Sequence, residues 1–210
     1  MTETTRLDAR FPWRPAEPLV LASGSRTRRD LLAGASLPVE AVPAAIDERA
    51  AERQAGGLPP TALALHLARA KARDVAGRRP GRIVVGADQV LELDGAILHK
   101  PADRAAAAAH LARLQGRTHA LHSAVVLIRG EAEDGFVETA SLTMRALDEA
   151  GIDAYLRCAG DAVTASVGAY QLEGVGIHLF ERVEGAHETI LGLPLLPLLA
   201  RLRAMGLLAF

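Results

Sequence analysis

Two apolar runs, residues 89–93 and 96–98, are separated only by Asp94-Gly95. That dipeptide closes a two-residue hairpin, because both central positions of the favoured turn need positive φ. A second pair of long strand candidates, 119–128 and 136–147, is joined by an acidic turn at 131–135. Elsewhere the strand-like runs at 18–22, 39–42, 83–85 and 175–183 alternate with helical segments. Hairpins set into a strand–helix alternation exclude a purely parallel sheet. They predict an α/β chain with an elongated mixed β-sheet flanked by helices.

The helical segments follow from their punctuation. Residues 27–33 follow Ser23-Gly24-Ser25 and turn Leu31 and Leu32 inward, and Thr61 is the expected N-cap of a helix running to about residue 76. Residues 101–114 form an alanine-rich helix stopped by Gly116, and 148–158 and 194–205 complete the set. The most apolar stretch, 189–199, is too short to span a bilayer and reads as a buried terminal helix with Pro194 in its first turn. The first 17 residues carry Arg6, Arg10, Arg14, Pro12 and Pro15 and read as a loosely ordered tail, with 18–210 as a single domain. The lone Cys158 excludes an internal disulfide and a cysteine zinc site, and reads as a small buried helix residue. A formal net charge of −1 and a pI of about 6.7 argue against bulk nucleic-acid binding. The expectation is a cytoplasmic protein with neither nucleic-acid nor membrane partners.

Three places could carry chemistry. Ser23-Gly24-Ser25 lies between a strand and a helix start, where free N–H groups and the helix dipole favour an anion and Arg28 could clamp phosphate oxygens. The plainer reading is a serine-capped helix with solvated arginines. Asp88 follows a buried apolar run at the expected carboxyl edge of the sheet, placed either to hold Mg²⁺ or orient a water, or simply to close an Asx-turn. Asp47-Glu48 adds carboxylates in a polar loop. The seven histidines suggest no metal site: His119 and His122 are three apart on a strand and so point to opposite faces.

The basic residues sharpen this picture. Of 24, only Lys71 and Lys100 are lysine. Lys71 prolongs the stripe of Ala64, Leu67, Ala68 and Val75 instead of joining Arg69 and Arg73 on the polar face. Lys100 is held extended before Pro101. Where arginine serves almost everywhere else, a retained lysine suggests a need for a compact ammonium, and both are placed to reach a polyphosphate.

The order of motifs resembles the Maf family of nucleoside triphosphate pyrophosphatases over about residues 19–208. The pieces are Leu21-Ala22-Ser23-Gly24-Ser25 with Arg28, Ile46-Asp47-Glu48, Ala70-Lys71-Ala72, Val85-Gly86-Ala87-Asp88, and Ile97-Leu98-His99-Lys100-Pro101. Gly116-Arg117-Thr118-His119, Gly168-Ala169-Tyr170, Glu173-Gly174-Val175-Gly176 and Gly192-Leu193-Pro194 complete the series. The resemblance implies two lobes around a nucleotide-binding cleft, in the Maf and inosine triphosphatase-like fold. It implies hydrolysis of a nucleoside triphosphate to the monophosphate and pyrophosphate with Mg²⁺ or Mn²⁺, and a homodimer as the expected assembly. By the same analogy Asp88, Glu48, Lys71 and Lys100 are the catalytic set, with Glu48 and Asp88 at the metal. Ser23, Ser25 and Arg28 match the phosphate loop.

Three positions bear on the substrate. The resemblance implies one branch acting on dTTP and UTP, with Thr, Gln and Arg at these places, and another acting on 7-methyl-GTP, with Gln, Glu and an aromatic residue. Gln89 and Glu173 match the second branch, whereas Thr27 matches neither. A carboxylate only accepts hydrogen bonds, which suits the N–H groups on the guanine edge, and a methylated, cationic base favours a nearby acid. The rival readings are a dTTP/UTP or broad modified-nucleotide pyrophosphatase, and a nucleotide-binding regulator of cell division without turnover.

Overall fold

The computed structural model describes residues 12–210. Its strands are β1 (Leu19–Leu21), β2 (Val39–Ala41), β3 (Ile83–Leu93), β4 (Ala96–Leu98), β5 (Thr118–Arg129), β6 (Ala132–Met144) and β7 (Phe180–Glu184). They form one seven-stranded sheet in the order β2-β1-β3-β5-β6-β7, with β4 paired to β3. β1 runs parallel to both its neighbours and every other pairing is antiparallel. The mixed α/β sheet expected from the two hairpins is therefore present.

The pairing of β3 creates the cleft. On one side β3 is bonded continuously to β5, from Ile83↔Arg129 to Glu92↔Ala120. On its other side β1 pairs only as far as Leu21↔Val85, and β4 takes over at Leu91↔Leu98. The intervening residues 86–90 have no strand on that side.

The helices are α1 (Arg26–Gly34), α2 (Glu48–Gln54), α3 (Pro60–Arg78), α4 (Arg104–Leu114), α5 (Glu149–Ala159), α6 (His187–Ile190) and α7 (Leu195–Ala204). Ser25, Asp47, Asp103 and Asp148 cap α1, α2, α4 and α5 by accepting from a first-turn N–H. Strand alternation sends Val84, Val90, Ala124 and Val126 against α3. On the opposite face the core divides in two. Val85, Ala87 and Leu127 pack with Leu32 and Leu202, while Leu91, Leu121 and Leu142 pack with Leu111 and Leu156. The division falls at the gap in β3 pairing, so two lobes share one sheet.

Several boundaries differ from the sequence expectation. Residues 83–93 form one strand through Gly86-Ala87-Asp88, so Asp88 lies within β3 and not at its end. A Cβ on Gly86 would stand 2.3 Å from the Ala68 carbonyl oxygen, so this glycine permits close approach of α3 and makes no turn. The helix α3 begins with Pro60 after Pro59, not with Thr61 as the cap. The second hairpin turns at Gly130-Glu131, and its last strand stops at Met144. Residues 175–179 form a 3₁₀ turn before β7.

The apolar stretch 189–199 is broken, with Gly192 at φ +87° between α6 and α7 and Pro194 as the cap residue of α7. Cys158 is exposed, not buried, because the inward stripe of α5 is Ile152, Tyr155 and Leu156. Part of the expected loose tail is fastened. Trp13 is buried, bridges to Leu208 and donates to the Glu17 carbonyl at 2.8 Å. The rest of that expectation, residues 1–11, lies outside the described residues. Among the described residues no helix is long and apolar enough to cross a membrane.

Candidate active site

A cavity of about 770 Å³ opens at the gap in β3 pairing, and the ten residues given a catalytic, phosphate or substrate role in the sequence line it, whereas Asp47 caps α2. Its floor comes from β3 and α3. Gly86 lets α3 settle onto the strand, which carries Lys71 over Asp88. The Lys71 Nζ lies 2.7 Å from Asp88 Oδ1 and 2.9 Å from Glu48 Oε2. Lys71 and Asp88 are buried, while Glu48, at the N-terminus of α2, is half exposed. Burial raises the Asp88 pKa above the ordinary carboxylate value, and the charges of Lys71 and Arg28 oppose that rise. A carboxylate held this way is a better proton acceptor than an exposed one.

The Ser23–Arg28 loop forms one wall. Ser25 Oγ accepts from the Arg28 N–H at 3.3 Å, and Ser23 Oγ accepts from the Ser25 N–H at 3.2 Å. The Arg28 side chain is recessed and organised. Its Nε donates to the Gly192 carbonyl at 2.8 Å, and Nη1 donates to the Ala87 carbonyl at 2.8 Å and to Ser23 Oγ at 3.2 Å. It thereby satisfies a β3 carbonyl that β1 leaves unpaired. Burial lowers its pKa while Asp88 and Glu48 raise it, and a guanidinium remains cationic under either influence. Arg28 is therefore a fixed positive charge beside the serine loop, not a solvated surface residue.

The rim is different. Lys100 and Glu173 are exposed and Thr27 is partly buried. Lys100 has no ion pair or hydrogen-bond partner among the described residues, and it follows His99, which pairs with Glu52 of α2 at 3.4 Å. Glu173 ends a segment, 165–173, that forms the far wall. Tyr170 anchors this wall: its hydroxyl meets His119 Nε2 at 2.7 Å, and its carbonyl accepts from Ser166 Oγ at 2.5 Å. Burial lowers the His119 pKa to about 4 and raises that of Tyr170, so both stay neutral near pH 7.

The donor set fits a hard divalent cation. Asp88 Oδ2 and Glu48 Oε1 have no hydrogen-bond partner among the described residues and neither is a buried unpartnered atom, so both are open to the cleft. Among the described residues no three His, Cys, Asp or Glu side chains form a ligand group. One or two carboxylates completed by phosphate oxygens and water is the usual arrangement for Mg²⁺.

Sequence reasoning passed over the residues behind this surface. Gln89 is held by Ser123 and by the carbonyls of Thr189 and Ile190, and Arg28 by that of Gly192. The available signal was Ser123 itself, a hydroxyl directly before the apolar run 124–128. The backbone acceptors leave no trace in side-chain identity.

The chain is similar to proteins of named activity. A nucleoside triphosphate pyrophosphatase from Nitrobacter winogradskyi is 60% identical over 198 residues, 94% of this chain and 98% of the relative. A 7-methyl-GTP pyrophosphatase from Mesorhizobium japonicum is 53% identical over 193 residues, 90% of this chain and 97% of the relative. Among solved structures, the Staphylococcus aureus Ham1 protein covers 61% of this chain and 72% of its own at 15% identity and a TM-score of 0.40, a likeness too slight to argue from. The family model for Maf-like protein matches residues 18–205, which takes in every residue of the cleft described above. The chain belongs to the Maf-like protein family.

Proposed function

We propose that this chain hydrolyses nucleoside triphosphates to the monophosphate and pyrophosphate, with 7-methyl-GTP as the favoured substrate. The observation that carries the reading is the convergence of Lys71 on Asp88 and Glu48 beside the Arg28-braced serine loop, in one cleft large enough for a nucleotide. The named activities of the Nitrobacter and Mesorhizobium relatives support it.

In this reading the triphosphate lies along the serine loop with its α-phosphorus facing Asp88. A water oxygen forms a bond to that phosphorus as the bond to the bridging oxygen of the β-phosphate breaks. The electron pair leaves with pyrophosphate, and the proton of the attacking water passes to Asp88. Lys71, Lys100 and Arg28 offset the charge developing on the phosphoryl oxygens. Asp88 and Glu48 would hold Mg²⁺ or Mn²⁺, which when bound polarises the phosphoryl oxygens and neutralises their charge. Lys71, anchored between both carboxylates, keeps them convergent before substrate arrives.

For the base, Glu173 and Gln89 supply the cleft with hydrogen-bond acceptors suited to the guanine edge, and the Glu173 charge suits a cationic methylated base. Pyrophosphate release from 7-methyl-GTP, GTP, UTP, dTTP and CTP tests the reading. Preferential turnover of 7-methyl-GTP is expected. Preference for UTP or dTTP would replace the substrate assignment, and release from none of them would remove the activity.

A further inference from the structure

The cleft residue Gln89 is tied down by groups that no part of the mechanism above uses. Its Nε2 lies 2.9 Å from Ser123 Oγ, 2.9 Å from the Ile190 carbonyl and 3.1 Å from the Thr189 carbonyl. Two carbonyls can only accept, so they fix which end of the carboxamide faces inward. The role of Ser123 is fixed in turn. Its hydroxyl donates to the Thr189 carbonyl at 2.7 Å, so its only proton is committed and it must accept from Gln89. The result is a directional relay, Gln89 N–H to Ser123 O–H to Thr189 carbonyl, on a fully buried serine and a buried threonine.

The other end of the amide is left to the cleft. Gln89 Oε1 has no partner among the described residues and is not a buried unpartnered atom, so it is reached from the cleft that Gln89 lines. Both carbonyls lie where α6 ends at Ile190, and that of Thr189 also accepts from the Gly192 N–H at 3.0 Å. Two residues on, the same turn offers the Gly192 carbonyl to Arg28. One short turn therefore templates both a charged and an uncharged cleft residue.

We propose that Ser123 is a specificity-positioning residue. With the Thr189 and Ile190 carbonyls, it locks Gln89 so that the cleft meets an acceptor oxygen and never the amide donor. The inference deepens the proposed nucleotide reading and rests on it for the identity of the ligand. A locked acceptor in the cleft that Glu173 also lines complements a base edge rich in N–H donors, as in guanine. It opposes the acceptor-flanked edge of uracil, which offers one N–H between two carbonyl oxygens. Gln89 would otherwise be free to flip and serve either edge.

The test has two independent readouts. In the parent protein without nucleotide, the Gln89 side-chain amide, identified by its loss in Gln89→Leu, should show strongly slowed hydrogen exchange in ¹⁵N-edited spectra. Exchange at the rate of a free carboxamide would overturn the proposal whatever the enzyme hydrolyses. In steady-state kinetics, Ser123→Ala should raise KM for 7-methyl-GTP about three- to tenfold, the worth of one neutral hydrogen bond, with kcat within about twofold. KM for UTP should rise less or fall. Ser123→Thr, which keeps the hydroxyl, should restore the parental ratio. Equal losses of kcat on both nucleotides, or an unchanged ratio in Ser123→Ala, would reduce Ser123 to a packing residue and overturn the proposal. Should the parent release pyrophosphate from no triphosphate, the function reading fails while the exchange measurement still decides the orientation of Gln89. If Ser123→Ala does not fold, the exchange measurement on the parent stands alone.

Discussion

The floor and the rim of the cleft are built on opposite plans. On the floor, Asp88, Lys71, Arg28 and Gln89 are buried or recessed, and each is bonded to protein before any ligand arrives. On the rim, Lys100 and Glu173 are exposed, and Lys100 has no partner among the described residues. A preorganised floor spends little on reordering at the moment of reaction, which is what electrostatic stabilisation of a phosphoryl group requires. Exposed rim side chains are left to meet the ligand. The two retained lysines embody the contrast, since one is a structural cation inside a charge cluster and the other is a free arm.

The sharpest way to break this comparison is Asp88→Asn. Loss of the proton acceptor should cut kcat for pyrophosphate release by roughly 10²- to 10⁴-fold, measured at saturating metal and nucleotide. Unchanged turnover would remove Asp88 from the chemistry. Next come the lysines. Lys71→Met strips the floor of its central cation and leaves Asp88 buried beside an apolar chain, so activity should vanish and stability fall by about 3 kcal/mol or more in denaturant unfolding. Lys100→Met should raise KM severalfold and change stability by less than about 0.5 kcal/mol. Equal effects of the two substitutions would erase the distinction between floor and rim.

The far wall predicts an acid response. His119 is neutral in the native state down to about pH 4, whereas a histidine in the unfolded chain protonates near 6.5. Between these values the native state binds fewer protons than the unfolded chain. The neutral-His contribution is therefore fully present above pH 6.5 and is lost as pH falls toward 4, by up to about 3 kcal/mol. Unfolding free energies of the parent and His119→Asn across that range should diverge in slope; parallel curves would contradict the assignment. The smallest expected effect is Glu173→Gln, which should lower kcat/KM for 7-methyl-GTP relative to UTP severalfold, because an exposed charge is well screened. A constant ratio would show that the rim does not read the base.

Much of the fold was legible because its signals are local. Asp94-Gly95 closes the β3–β4 turn, and a serine of the Ser23–Ser25 stretch, Ser25, caps α1. The apolar placement of Lys71 on α3 identified a buried ammonium before any contact was known. Errors arose where one residue type serves two purposes. Gly86 reads as the end of a strand and is in fact a mid-strand gap filled by the α3 backbone. The uninterrupted apolar character of 189–199 conceals a backbone break at Gly192, since a positive φ at one glycine leaves hydropathy unaltered.

The sequence by itself determined the mixed sheet, the identity of the charged and hydroxyl groups, and the family to which they belong. These follow from period, turn chemistry and side-chain type, all written within a few residues of one another. Tertiary structure alone decided that β1 and β4 leave residues 86–90 without a strand partner on one side, opening the cleft. It also decided that Arg28 and Gln89 are aimed by carbonyls 100 or more residues distant in the chain. Backbone acceptors are common to every residue, so only folding specifies which of them face a given side chain.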